Sequence, residues 1–184
     1  MDPRLDAVTA ELRMAVGGVD PAEADRLCDA IVGAKQIMVF GCGRERLQLL
    51  GFSMRLFHMG FSVMTVGDVY APPVGPGDLL IVTSGPGELA TVGTVMDLAK
   101  RAGASTFVIT AQRDGPDARA ADSVLVIPAQ TMADDRGEQK RSVLPMGSVF
   151  EGALFVLFEL LVMRLRDRLG VGLEDMRARH ANLE

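Results

Sequence analysis

Residues 78–88 of the chain read DLLIVTSGPGE, and this stretch decides the fold. A short apolar run that ends in glycine and proline is typical of a strand buried on both faces of a sheet. A helical pattern follows it directly, up to about residue 102. The sequence therefore predicts a strand, a glycine-rich turn and a helix, which together form the basic unit of an α/β protein.

Similar apolar runs recur on both sides of this stretch and alternate with helical patterns. Such alternation is typical of parallel strands whose two faces are covered by helices. The further predicted strands are residues 36–40, 62–66, 105–110 and 123–127. The sequence thus predicts an α/β fold, a three-layer αβα sandwich around a five-stranded parallel sheet, in a single domain.

Helices are predicted at both ends of the chain. Asp20 followed by Pro21 is typical of a helix start. The long helix at residues 147–169 is apolar on more than one side, so we expect it to form a subunit interface. The predicted plan places N-terminal helices at residues 3–34, the sheet core at 36–127 and C-terminal helices at 147–181.

Composition limits the classes of function. The 184 residues are 48% hydrophobic and carry a net charge of −5, so nucleic acid and anionic membranes are poor candidates as partners. Two cysteines far apart and two histidines predict neither a disulfide framework nor a metal site. The N-terminal residues resemble no export signal, so the expected location is cytoplasmic.

The glycine-rich turn is the first candidate binding site. Glycines at a strand-to-helix turn let a ligand approach the backbone, and the N–H groups at the helix start attract an anion. The predicted phosphate-binding residues are Ser84, Gly85, Gly87 and Glu88, while Pro86 removes one N–H donor. The alternative is a tight turn in which Gly87 only satisfies a backbone requirement.

A second turn, at residues 41–44, reads Gly-Cys-Gly-Arg. A dinucleotide-binding turn needs a third glycine where this chain has Arg46, so a nicotinamide cofactor is not expected. Arg44 is either a donor to a sugar or phosphate oxygen or a solvated charge.

Among the remaining ionisable residues, Glu151 is the main candidate. It lies in the first turn of the long helix among apolar residues, where burial favours the neutral form of the carboxyl group and suits a general base. The alternative is a carboxylate that stabilises the helix N-terminus. His58 is expected to stabilise a helix end, and His180 is either an exposed tail residue or a site residue.

Four segments of the chain resemble the sugar isomerase (SIS) domains, and more narrowly the 6-phospho-3-hexuloisomerase group. They are FSMRLFHMGF at residues 52–61, GDLLI at 77–81, PMGSVFE at 145–151 and DMRARHANLE at 175–184. The resemblance covers essentially the whole chain and implies an SIS domain of the flavodoxin-like type.

The resemblance implies interconversion of 3-hexulose 6-phosphate and fructose 6-phosphate through a cis-enediol, without metal or redox cofactor. It assigns the base to Glu151 and the phosphate to the residue 84–88 turn. It places Arg44 in the first ligand loop and brings His180 to the site, from its own or a neighbouring subunit. It also implies a homo-oligomer, either a tetramer or a dimer of dimers.

The two ligand loops depart from the family pattern, which usually reads Ser-Gly-Ser-Gly-Glu-Thr and Gly-Ala-Gly-Arg-Ser-Gly. Pro86 and Leu89 replace a serine and a threonine, and Glu45 and Arg46 replace a serine and a glycine. Glu45 adds repulsion if it points inward, and Arg46 compensates if it reaches the phosphate. A non-catalytic sugar-phosphate-binding protein, or an isomerase of another sugar phosphate, is therefore the alternative function.

Overall fold

A computed structural model describes residues 2–183 of the chain. Five parallel strands form one sheet in the order β2-β1-β3-β4-β5, which confirms the predicted sheet. The strands are β1 (Ile37–Phe40), β2 (Val63–Thr65), β3 (Leu79–Thr83), β4 (Ser105–Thr110) and β5 (Ser123–Val126).

Seven α-helices and one short 3-10 turn surround the sheet in the described residues. They are α1 (Leu5–Gly17), α2 (Pro21–Gly33), α3 (Gly43–His58), α4 (Ala90–Arg101), α5 (Pro116–Ala120), α6 (Ser148–Leu169), α7 (Leu173–Arg177) and the 3-10 turn Gly137–Gln139. The predicted three-layer αβα sandwich is thus confirmed.

Two apolar cores lie on opposite faces of the sheet. Apolar side chains of α2, α3 and α6 form the larger core, with α1 and α7 at its edges. Apolar side chains of α4 and α5 form the smaller core on the other face. All five residues of β3 are buried, as expected for a central strand covered by both layers.

The ends of the helices follow from local chemistry. Asp20 caps α2 as predicted, because its Oδ1 accepts a hydrogen bond of 2.9 Å from the Ala22 N–H, and Pro21 is the first helical residue. The last helix is shorter than predicted and ends at Arg177. Beyond it the backbone tightens, because the Arg179 N–H bonds the Met176 carbonyl and the His180 N–H bonds the Arg177 carbonyl, three residues back instead of four.

The strand order reverses between β1 and β3, which are neighbours in the sheet. The helix after β1 packs in the larger core, whereas the helix after β3 packs in the smaller one. Doubly wound sheets bind their ligands beyond the carboxyl ends of the strands at such a point. The fold therefore brings the two glycine-containing turns predicted as ligand loops to the same edge of the sheet.

Candidate functional site

The two turns approach each other closely at the carboxyl ends of β1 and β3. A Cβ atom at Gly41 would lie 2.5 Å from the Thr83 Oγ1, so only glycine fits there. A Cβ atom at Gly85 would meet the Glu45 Oε1 at 2.7 Å and the Phe150 ring at 2.9 Å. Side chains from α3 and α6 thus converge on the turn after β3.

Glu151 and Arg44 form an ion pair at this edge. The Arg44 Nε lies 3.0 Å from the Glu151 Oε2, and its Nη1 lies 3.5 Å from the Ser148 Oγ. The Glu151 side chain is 14% exposed, whereas that of Arg44 is 66% exposed. The structure therefore brings together the predicted base and the predicted donor, with the arginine reaching from solvent over the carboxylate.

Glu45 adds a second carboxylate to the site. Its two oxygens accept the Gly85 N–H at 3.1 and 3.2 Å. Burial away from water raises the pKa of Glu45 to about 7, with a further contribution from the negative charge of Glu151. The Gly85 N–H and the Thr83 hydroxyl act in the opposite direction. Glu45 thus points inward, toward the turn after β3.

The Ser84 hydroxyl is hydrogen-bonded to a residue of α5. It donates to the Asp117 Oδ2 at 2.5 Å, and the Leu89 N–H donates to the same oxygen at 2.9 Å. Ser84 and Asp117 are both buried. The proton of Ser84 is therefore directed into the protein and away from the open side of the turn.

The remaining residues of the turn are set by its backbone. Gly87 has a φ of +84°, and a Cβ atom there would lie 2.5 Å from the Gln112 Cβ. Its N–H donates to the Ser84 carbonyl at 3.0 Å. Glu88 is exposed, beside the open edge of the turn. Gly87 thus satisfies a backbone requirement of the turn. The role of the turn in ligand binding stays a prediction.

His180 lies away from this cluster within the single chain. Its ring is 5.2 Å from that of His58, which is buried at the last residue of α3. Arg44 stands in the first turn of the same helix, about 20 Å away at 1.5 Å per residue. One chain therefore does not bring His180 to Glu151.

A cavity of about 680 Å³ lies beside the candidate site and is separate from the Arg44–Glu151 pair. Val149 lines it from the first turn of α6, and Gln112 joins it to the glycine turn. Val149 and Glu151 stand two positions apart and so point to different sides of their helix. The first turn of α6 thus separates the cavity from the candidate site.

In residues 2–183, no three or more histidine, cysteine or acidic side chains are grouped so that they could hold a metal ion. No helix in the same range has the length and hydropathy to cross a membrane.

Sequence reasoning identified Glu45 only as a departure from the family pattern, and it missed Asp117. Asp117 lies in the short helix α5 after Pro116, a position where an acidic residue is common and carries no functional signal. Its contact with Ser84 spans 33 residues and follows from the sheet topology. The periodicity of the sequence contains nothing that would reveal it.

The fold and site define a doubly wound α/β protein with paired acidic groups and a guanidinium at its two glycine-containing turns. The chain belongs to the SIS domain family, which its residues 30–149 match. This confirms the predicted family.

The chain is similar to curated 3-hexulose-6-phosphate isomerases. One from Mycobacterium gastri is 38% identical, with 98% of this chain and 89% of that protein covered. One from Bacillus subtilis is 33% identical, with 95% and 94% covered. The chain is also similar to a solved structure of a Methanococcus jannaschii protein, for which a function of 3-hexulose-6-phosphate isomerase was inferred. The two superpose with a TM-score of 0.85 at 29% identity. The match covers 98% of this chain and 99% of the other.

Proposed function

We propose that this protein is a sugar-phosphate isomerase that interconverts 3-hexulose 6-phosphate and fructose 6-phosphate. The names of its relatives support this substrate pair. The observation that carries the proposal is the Arg44–Glu151 ion pair of 3.0 Å beside the glycine turn at the switch point of the sheet. A largely buried carboxylate in that position suits a base that moves a proton between adjacent carbons.

The chemistry follows from the roles of these groups. Glu151 removes the proton from C3 of fructose 6-phosphate, and the electron pair of that bond forms the C2–C3 double bond of a cis-enediol. Glu151 then returns the proton to C2, while a second proton moves between the two oxygens to leave the carbonyl at C3. Arg44 orients the Glu151 carboxylate and stabilises negative charge on the enediol oxygens. No step requires a cofactor.

We further propose that the protein is a homo-oligomer, in which His180 of one subunit assists ring opening and oxygen-to-oxygen proton transfer in another. An exposed apolar surface on α3 and α6 supports this, because large apolar patches mark subunit contacts. Its members are Leu47, Met54, Phe57, Phe155, Val156, Leu160 and Met163. The Arg55 Nε lies 3.7 Å from the Glu159 Oε1 and joins the two helices on this surface.

The turn of Ser84, Gly85, Gly87 and Glu88, with Arg44 beside it, stays the predicted phosphate site, although the Ser84 hydroxyl itself donates to Asp117. Helix α4 begins just after this turn and offers its positive end to an anion. A cytoplasmic location, a tetramer or dimer of dimers and the absence of nucleic-acid or membrane partners stay predictions from the sequence.

The test is turnover in D₂O. Purified protein is mixed with fructose 6-phosphate, and the sugar carbons are followed by NMR. We expect a 3-hexulose 6-phosphate signal and solvent deuterium at C2 or C3, because an enediol exchanges its carbon-bound proton. Folded protein that turns over no ketose phosphate would refute the proposal.

A sugar-phosphate-binding protein without turnover is the second candidate. The observation that favours it is that two donors of the turn are already engaged, with the Ser84 hydroxyl on Asp117 and the Gly85 N–H on Glu45. Thermal stabilisation by a sugar phosphate, with no deuterium incorporation, would identify this function.

A further inference from the structure

The hydrogen-bond donors of the glycine turn are distributed unequally between protein and solvent. The Gly87 N–H bonds the Ser84 carbonyl, and the Leu89 N–H bonds Asp117. Pro86 has no N–H. The Gly85 N–H donates to the carboxylate of Glu45. An anion that approaches this N–H therefore meets another anion on the same donor.

We propose that Glu45 competes with the ligand's anionic group for the Gly85 N–H, so that an oxyanion binds only when Glu45 takes up a proton or moves away. The inference rests on the proposed function in one respect, that the ligand carries a phosphate. It makes Glu45 a residue that determines which anions bind and at which pH.

Electrostatics require this competition. A carboxylate at 3.1 Å from the Gly85 nitrogen occupies the position that a phosphate oxygen would take. Two negative groups on one buried N–H repel each other. Protonation of Glu45 removes the charge, and its pKa of about 7 brings this event to neutral pH.

The charged groups around Glu45 come from three elements. Glu151 faces it from α6 and raises its pKa, and Arg44 of α3 is paired with that same Glu151. Asp117 of α5 lies on the other side of the turn, bonded to Ser84 and Leu89. Strand β3 adds an uncharged group, the Thr83 hydroxyl. The site thus holds three acidic groups and one guanidinium, and this excess of negative charge opposes the entry of a further dianion.

Glu45 and Asp117 differ in how they hold the turn. Asp117 is buried and accepts two donors of the turn, which is a structural arrangement. Glu45 is half-buried, accepts the Gly85 N–H and faces the Thr83 hydroxyl. A ligand oxygen replaces Glu45 as the acceptor of the Gly85 N–H, so Glu45 is the carboxylate that a ligand displaces.

Binding measured against pH tests the proposal. Dissociation constants of sulfate and fructose 6-phosphate are determined by calorimetry for the wild type, Glu45→Gln and Glu45→Ser. Sulfate is included because it keeps its double charge across this range, whereas a phosphate ester titrates within it. Asp97→Asn, an exposed acidic residue of α4, is the control of equal charge change.

Wild-type affinity for sulfate is expected to fall about tenfold between about pH 6 and about pH 8, because only the protonated fraction of Glu45 binds. The Gln and Ser variants are expected to lose this dependence and to bind about tenfold more tightly than the wild type at about pH 8. Asp97→Asn is expected to follow the wild type.

Three results would overturn the proposal. One is a wild-type pH profile parallel to that of Glu45→Gln, another is weaker binding by both Glu45 variants, and the third is no anion binding by any variant. Turnover of fructose 6-phosphate is followed separately. Turnover without the Glu45 effect refutes this inference alone, and the Glu45 effect without turnover refutes the isomerase alone.

Discussion

Arg44 and Glu151 join the first turns of α3 and α6 through a contact of 3.0 Å between the Arg44 Nε and the Glu151 Oε2. The arginine side chain is 66% exposed, so the pair contributes little to stability. Its value lies in orientation, because a carboxylate held by a guanidinium keeps one direction relative to the turn. Substitutions in this pair are therefore expected to change function more than stability.

Replacement of Glu151 by Gln is expected to abolish turnover while leaving ligand binding largely intact. The amide keeps the shape of the side chain but cannot accept the carbon-bound proton. Loss of a general base costs about 10²–10⁴-fold in rate. Deuterium incorporation followed by NMR measures the rate, and calorimetry with fructose 6-phosphate measures binding.

Asp167→Asn provides the matched control for Glu151→Gln, because it removes an exposed carboxylate from the same helix. It is expected to keep wild-type turnover. Full activity of Glu151→Gln would contradict the assignment of the base. Loss of the fold in Glu151→Gln, seen by circular dichroism, would move the test to Glu151→Asp, which keeps the charge and shortens the reach.

The fold was predictable because its elements depend on local patterns. The apolar run 79–83 identifies β3, and Asp20 with Pro21 identifies the start of α2. The contacts at the end of α7 were not predictable, because the Arg179 guanidinium there bonds the Asp175 carbonyl and also the His58 carbonyl at 3.2 Å. That contact joins distant parts of the chain, and no pattern within α7 records it.

Stability is expected to depend on pH through Glu45. Its pKa rises from an ordinary 4.5 to about 7 on folding, so the folded state binds the extra proton between these values. The stability that this provides is present at low pH and is lost as the pH rises through about 7. Glu45→Gln should therefore gain about 2–3 kcal/mol in unfolding free energy relative to the wild type between about pH 5 and about pH 8.

Urea unfolding of both proteins at several pH values measures this difference, and the Asp97→Asn control should show none. A pH-independent difference between wild type and Glu45→Gln would mean that Glu45 titrates at its ordinary pKa in the folded protein.

Asp117 is expected to support the turn through stability. Asp117→Ala leaves the buried Ser84 hydroxyl and the Leu89 N–H without their acceptor, which costs about 2–4 kcal/mol. Asp114→Ala removes an exposed carboxylate from the same loop and should change stability by less than about 0.5 kcal/mol. Urea unfolding compares the two, and equal effects would contradict the role of Asp117.

The candidate site was predictable in outline, and its hydrogen bonds were not. Glycine and serine after β3 indicate an anion-binding turn, and the chain position of Glu151 indicates its helix start. The acceptors that occupy this turn, Glu45 and Asp117, come from other helices. Only the three-dimensional arrangement shows that the Ser84 proton is directed into the protein.

The apolar surface on α3 and α6 is expected to form a subunit contact. Phe155 is 57% exposed within this surface, so Phe155→Lys should convert an oligomer to monomers in sedimentation velocity experiments. Val32→Lys, at an exposed position of α2, is the control and should keep the wild-type mass. A monomeric wild type would contradict the interface and the supply of His180 by a neighbour.

Gly87 and Gly51 provide a final matched pair. Gly87 has a φ of +84°, and a Cβ atom would lie 2.5 Å from the Gln112 Cβ, so Gly87→Ala combines backbone strain with a clash. We expect a loss of about 2–4 kcal/mol in unfolding free energy. Gly51 lies within α3 with no heavy atom within 4 Å of an added Cβ, so Gly51→Ala should gain about 0.5–1 kcal/mol. Urea unfolding measures both, and a neutral Gly87→Ala would show that the turn tolerates another backbone conformation.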